Sequence, residues 1–283
     1  MSRKRLGFSF IEILIVIAIL VVLISLLLGV IQKVRTAASG LEDKNKLKQI
    51  ILAMHQVASQ DDGKLPAANG VTMDGTEKSS PHWAVMPYLA SGSFPYYRFV
   101  NHAPYWDDIE TFYSKLDESH KWQFASDFFS GGKISFAYSA PAFSNQATLP
   151  SSFNDGTSHT VGFAEHYNIT TNRFNHLGFA VSVDPNNLIP SRSGQRTSSF
   201  CDPGFKDWMP TIIDGKVASY PKQHPIQFAP RFDESDGSRL QAMQSSGLKT
   251  AMMDGSVRIL SPSIRPELFW AFITPNGGEI LGE

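Results

Sequence analysis

The chain has 283 residues, 42% hydrophobic and 18% charged, with Lys+Arg 25 against Asp+Glu 26 and a net charge of -1. This balance excludes a polybasic nucleic-acid binder and an acidic disordered tail, since neither a phosphate-seeking field nor self-repulsion is available. Gly 21 and Pro 17 exclude a collagen-like or low-complexity polymer, and the single cysteine, Cys201, excludes an intrachain disulfide and any Cys-based zinc cluster.

From Phe8 to Ile31 the chain reads FSFIEILIVIAILVVLISLLLGVI, with Glu12 as its one charge. A helix of that length is about 36 Å long and crosses a hydrocarbon core of roughly 30 Å with some tilt. Arg3, Lys4 and Arg5 precede it, whereas Lys33, Arg35, Glu42 and Asp43 follow as a mixed set. The positive-inside bias therefore puts the N-terminus in the cytoplasm and the remainder outside, periplasmic or at the cell surface. A cleaved secretory signal fits poorly. The apolar run is too long, and the small-residue site at Ala37-Ala38 lies beyond Lys33 and Arg35. An uncleaved signal anchor accounts for everything except Gly7 and Glu12.

Arg3-Lys4-Arg5-Leu6-Gly7 followed by Phe8-Ser9-Phe10-Ile11-Glu12 resembles the type IV prepilin signal, a short basic leader ending in Gly, then Phe, with Glu as the fifth mature residue. The resemblance implies that a prepilin peptidase of the bacterial inner membrane cuts between Gly7 and Phe8 and methylates the new amine of Phe8. It also implies partnership with other pilin or pseudopilin subunits. A carboxylate at mid-bilayer costs about 2.5–3.5 kcal/mol, less near the interface. The Phe8 amine, from the same chain or a neighbouring subunit, is its natural counter-charge, which makes Glu12 the candidate residue for helix assembly. Snorkelling of Glu12 to the headgroups is the alternative.

Helical periodicity resumes after the span. Leu47, Ile50, Ile51, Met54, Val57 and Ala58 form an apolar face, with Lys44, Lys46, Lys48 and Gln49 opposite. The spacing predicts a long helix over 8–58, membrane-spanning at 8–31 and amphipathic at 41–58, with a kink or break at Ser39-Gly40 and an end at Asp61, Asp62, Gly63 and Pro66.

Residues 59–283 read as a strand- and turn-rich α+β head. Six Asp-Gly dipeptides punctuate it, at Asp62, Asp74, Asp155, Asp214, Asp236 and Asp254. The clearest hairpin covers 248–260, turning at Asp254-Gly255, with Val257 and Ile259 alternating against Ser256 and Arg258. Further strands are expected at Ile134 to Ser139, Thr160 to Glu165 and Phe179 to Val183, and short helices at Trp83 to Leu89, Asp107 to Leu116 and Pro266 to Ile273.

Several blocks are similar to a large bacterial family of pseudopilin-like proteins, a domain of unknown function with a C-terminal His-X9-Asp-Gly prepilin-processing-associated motif. They are Leu47-Lys48-Gln49-Ile50, Gly63-Lys64-Leu65-Pro66, Met86-Pro87-Tyr88-Leu89, Asp155-Gly156-Thr157-Ser158-His159-Thr160, Asp254-Gly255-Ser256-Val257-Arg258 and Gly277-Gly278-Glu279-Ile280. Gln244 stands where that family usually has His, so Asp254 and Gly255 carry what is left of the motif.

No G-x-S-x-G elbow, H-E-x-x-H helix, P-loop or Rossmann glycine pattern is present, and no enzyme is expected. His159, His166 and His176, with Glu165, form the densest histidine group but lack diagnostic metal spacing. Asp233-Glu234-Ser235-Asp236-Gly237 resembles part of a calcium loop, without EF-hand spacing or its terminal Glu. Calcium is thus the one cofactor to test. Phe 20 and Trp 5 suit a core and subunit contacts, or a glycan surface.

The sequence therefore reads as an anchored pilin-like subunit, assembling into a type II secretion-like pseudopilus or a pilus. The alternative is a signal-anchored surface protein whose head binds a glycan, protein or metal ligand without polymerising. Loss of Met1 to Gly7 leaves Lys+Arg 22 against Asp+Glu 26 and a mature charge of -4.

Overall fold

A computed structural model describes residues 9–68, 80–89, 98–100, 103–106, 108–121, 130–143, 147–170, 173–175, 180–182, 199–201, 211–213, 216–219 and 224–277. The chain forms two compact units, Met1–Leu41 and Glu42–Glu283. Helix α1 covers Phe10–Gln60. Ser39 and Gly40 are helical, contrary to the expected kink or break. A single glycine costs about 1 kcal/mol, which a cooperative helix of this length absorbs. The helix stops where the breaker residues stand. Asp62 takes a positive φ of 49°, and Gly63 N–H reaches back to the Ala58 carbonyl at 2.8 Å, a Schellman-type closure.

In the first unit every described residue from 9 to 38 is exposed; from Phe10 to Ile31 the side chains are apolar except Glu12 and Ser25, and Gln32, Lys33, Arg35 and Thr36 follow. The second unit holds an α+β head built on one five-stranded sheet. Its strands are β1 (Phe136–Ser139), β2 (Val161–Glu165), β3 (Ser199–Phe200), β4 (Leu248–Met252) and β5 (Val257–Leu260), in spatial order β5-β4-β2-β1-β3. All neighbours are antiparallel except β1 and β3. β2 and β4 are buried along their whole length, as central strands covered on both faces must be.

Period-two alternation assigns the faces. Phe136, Tyr138, Phe163, Ala251 and Met253 share a core with Leu47, Ile50, Ile51, Met54 and Ala58 of α1. Ala137, Ala164, Leu248, Met252 and Leu260 share a second core with Phe269, Trp270 and Ile273 of helix α3 (Pro266–Ile273). The sheet thus lies between the end of the long helix and the C-terminal helix. Gly162 sets the approach on the α1 side, since a Cβ there would come 2.6 Å from Met253 Sδ and 3.2 Å from Ile51 Cδ1.

Small differences from expectation have local causes. Trp83 to Leu89 divides into helix α2 (Pro81–Val85) and a 3-10 turn (Met86–Tyr88). Of the helix expected over Asp107 to Leu116, the described residues form only the turn Glu110–Phe112, because Tyr113 is extended and engages α1 together with the residues after it; Asp107 lies outside the described residues. Ile259 is 42% exposed rather than half-buried, because β5 is an edge strand. Lys46 belongs to the buried side of α1, not the solvent face.

Candidate functional site

Three regions carry the functional reading. The first is the start of α1, where Gly7 and Phe8, the expected cleavage and methylation residues, lie outside the described residues. Ser9 and Glu12 form one half of a capping box. Glu12 Oε2 accepts the Ser9 backbone N–H at 2.8 Å, and Ile13 N–H reaches the Ser9 carbonyl. Further along, the Ser25 hydroxyl donates to Val22 O and Thr36 Oγ1 to Gln32 O. Each of these polar side chains is satisfied within its own helix, as hydrocarbon demands.

The second region is the Asp254-Gly255 turn. Gly255 N–H bonds the Met252 carbonyl and Met252 N–H the Ser256 carbonyl, so the loop is the three residues 253–255 rather than a two-residue turn. Gly255 sits at φ 87°, the left-handed position closing such a loop. Asp254 Oδ1 accepts Ser256 N–H at 2.8 Å. Partial burial alone raises the Asp254 carboxyl, but the hydrogen bonds from Ser256 and the nearby cations Arg258 and Lys48 hold it below its ordinary value. The turn is gripped from two sides. Lys48 Nζ donates to Gly255 O, and His55 Nε2 meets Met253 O at 2.9 Å, both from α1. Asp254 N–H and Met253 N–H donate to the carbonyls of Thr157 and Thr160. Asp155, at the head of that block, accepts Gly277 N–H at 2.7 Å. Family blocks far apart in sequence therefore form one backbone network around the C-terminal turns of α1.

The third region escaped sequence reasoning. Asp43, Glu165 and Lys249 are 1%, 0% and 2% exposed at their side chains. Lys249 Nζ lies 2.5 Å from Glu165 Oε1 and 3.5 Å from Asp43 Oδ2. Glu165 Oε2 also accepts Lys249 N–H at 3.1 Å, and the Ser114 hydroxyl donates to Asp43 Oδ2 at 2.8 Å. Burial pushes Glu165 up to about 7 against the pull of Lys249, and burial likewise raises Asp43. Three consecutive residues clamp the helix here. Lys46 donates to Tyr113 O and lies 5.2 Å above that ring, Ser114 holds Asp43, and Lys115 pairs with Glu42 at 3.0 Å. The signal was available: Lys249 shares a strand face with Ala251 and Met253, so it points into the core.

The other candidates do not converge. His159 stacks on Phe272 and meets Ser158, while His166 is buried with its ring nitrogens near Tyr167 O and Gly237 O. His176 lies outside the described residues, and Glu165 points to Lys249 rather than to a histidine. In the acidic run, Asp233 pairs with Arg231 and Asp236 Oδ1 accepts from Ser238. No group of three metal-ligating side chains occurs among the described residues. Gln244, half-buried, precedes β4, and its carbonyl accepts Gly247 N–H at 3.4 Å. Phe112, Phe136, Tyr138, Phe143 and Phe163 are core residues, and three of them ring the buried His82.

Comparison with known families agrees with this geometry. Residues 2–28 match the prokaryotic N-terminal methylation motif. Residues 110–267 match the family described as protein of unknown function DUF1559, more than half of the chain, and the chain belongs to that family. No curated protein and no solved structure matches it. With the long apolar helix and strand-rich head, the motif defines a membrane-anchored, type IV pilin- or pseudopilin-like protein.

Proposed function

We propose that this chain is a structural subunit of a type II secretion-like pseudopilus or a pilus. A prepilin peptidase removes Met1 to Gly7 and methylates Phe8, the N-terminus faces the cytoplasm, and the head stands outside. The observation that carries this reading is the unbroken run of exposed residues from 10 to 38 behind a methylation motif. The apolar part of that surface, from 10 to 31, needs lipid or like helices around it. Within it the Ser25 hydroxyl is satisfied by Val22 O, and Glu12 has one carboxylate oxygen engaged by Ser9 and the other available for a charge. The head supports the role mechanically: Lys48, His55, Tyr113 and Ser114 hold the turns of α1 that it packs against.

Mass spectrometry of the membrane-extracted protein tests processing: the expected N-terminus is methylated Phe8, and an intact Met1 rejects the reading. Polymerisation is tested separately. Glu12→Ala should still be cleaved yet lose the crosslinked ladders of the parent protein, and ladders unchanged in that variant would leave a signal-anchored surface protein as the better account.

A further inference from the structure

We propose that Lys249 and Asp43 condense to an intramolecular amide, with Glu165 as the proton carrier, so that β4 is covalently joined to helix α1. The three side chains sit together, each at most 2% exposed, with the ammonium nitrogen 2.5 Å from one carboxylate and 3.5 Å from the other. Among the described residues, the two carboxylates are the groups this lysine meets. Its backbone is already paired in the sheet, and its neighbours on the same face, Ala251 and Met253, are apolar.

The step balances without any added reagent. Glu165 takes a proton from the Lys249 ammonium, and the freed amine attacks Cγ of Asp43. A C–N bond forms and a C–O bond breaks. Oδ1 of Asp43 leaves as water with two of the three ammonium protons, one of them relayed by Glu165, which returns to its starting state. Ser114, donating to Oδ2 at 2.8 Å, steadies the oxygen on which negative charge develops and which becomes the amide carbonyl. Nothing is oxidised or reduced.

Two physical terms drive a reaction that is unfavourable between free amines and acids in water. Holding the amine 3.5 Å from Oδ2 of the carboxyl it attacks raises the effective molarity, which for well-oriented intramolecular groups reaches about 10⁵–10⁸ M. Burial penalises the separated ions, and condensation replaces the Lys249–Asp43 pair by a neutral amide plus a water that leaves the core; Glu165, then without its cation, takes up a proton from solvent. The upward displacement of both carboxyls by burial points the same way. The bond does not depend on whether the chain polymerises, so its test stands apart from those above.

The experiment is peptide mass spectrometry of the full-length protein extracted from membranes and digested after denaturation. Expected is a linked pair of peptides, one containing Asp43 and the other Lys249, lighter than their sum by one water. Asp43→Asn should give the same link with loss of one ammonia instead, a change that a merely structural pair does not produce. Glu165→Gln should leave the two peptides separate. Recovery of Lys249 as a free amine in the parent protein, or its linkage to Glu165 in place of Asp43, overturns the proposal.

Discussion

Glu165 and His82 are both fully buried, yet they respond to pH in opposite senses. Glu165, ordinarily 4.5, is pushed up to about 7 by burial. Between those values the folded chain keeps a proton that the unfolded chain has released, so this group's contribution to stability falls as pH rises through the window. Burial lowers His82 from 6.5 to about 4, the hydrogen bond with Phe136 O opposing it. The unfolded chain binds that proton first, and the contribution of His82 is lost as pH falls from 6.5 to 4. Melting temperature followed by circular dichroism across this range should therefore decline less toward neutral pH in Glu165→Gln, and less toward acid in His82→Asn. Profiles parallel to the parent's would contradict the assignment. Glycines provide a second residue-scale check. Gly255→Ala forces a Cβ into the left-handed region and should cost about 1–2 kcal/mol in chemical denaturation. Gly162→Ala should cost about 1–3 kcal/mol by pushing against Met253 and Ile51.

At the scale of elements, the clamp of residues 113–115 on α1 makes a sharper prediction than the individual ion pairs. Ser114→Ala removes the hydroxyl donor to the buried Asp43 carboxylate, which then keeps only the longer contact with Lys249, and should cost about 1–3 kcal/mol. Lys115 is half-exposed, and replacing it should change stability far less. Where a truncation begins matters more. A fragment starting at Ser59 loses Leu47, Ile50, Ile51 and Met54, all fully buried, and uncovers one face of the sheet. A fragment starting at Glu42 retains them. The shorter fragment should show no cooperative thermal transition, whereas the longer should melt sharply. The elements themselves were largely legible in the sequence. The apolar span, the helix stop at Asp62-Gly63, helix α3 and strands β2 and β4 stand where periodicity and breaker residues put them. What was not legible was which charged residues turn inward. Lys46 looks like a solvent residue by helical spacing and becomes buried because Tyr113, 67 residues later, covers it. The trio of Asp43, Glu165 and Lys249 is assembled by pairing across the sheet, which local pattern does not encode.

For the whole molecule, two halves of one helix obey different solvents. From 10 to 38 its side chains are exposed, and as far as Ile31 they are apolar apart from Glu12 and Ser25, the surface expected of a segment immersed in lipid or among identical helices. From Leu47 to Ala58 it is a component of a globular core. The candidate site is divided in the same way. Its N-terminal part rests on a methylation motif that ten contiguous residues of sequence already suggest, with Glu12 inside it. Its C-terminal part, the docked Asp254-Gly255 turn, shows its meaning only when His55 and Lys48 are seen against it. Substituting His55 with Ala and Lys48 with Met together should loosen this turn. Faster amide hydrogen exchange at Met253 to Ser256, with little change in the opposite core around Trp270, is the expected readout.

The grip of His55 on Met253 joins residues 198 positions apart. The helix leaves the ribosome long before its partner strand. Strands β1 and β2 can cover part of the apolar stripe from Leu47 to Ala58, but the cover is complete only once β4 and Met253 have followed, and contacts of such long range also make for slow closure. The growing polypeptide thus carries a partly uncovered greasy stripe through much of its synthesis. A head without β4 would keep that stripe open to proteases.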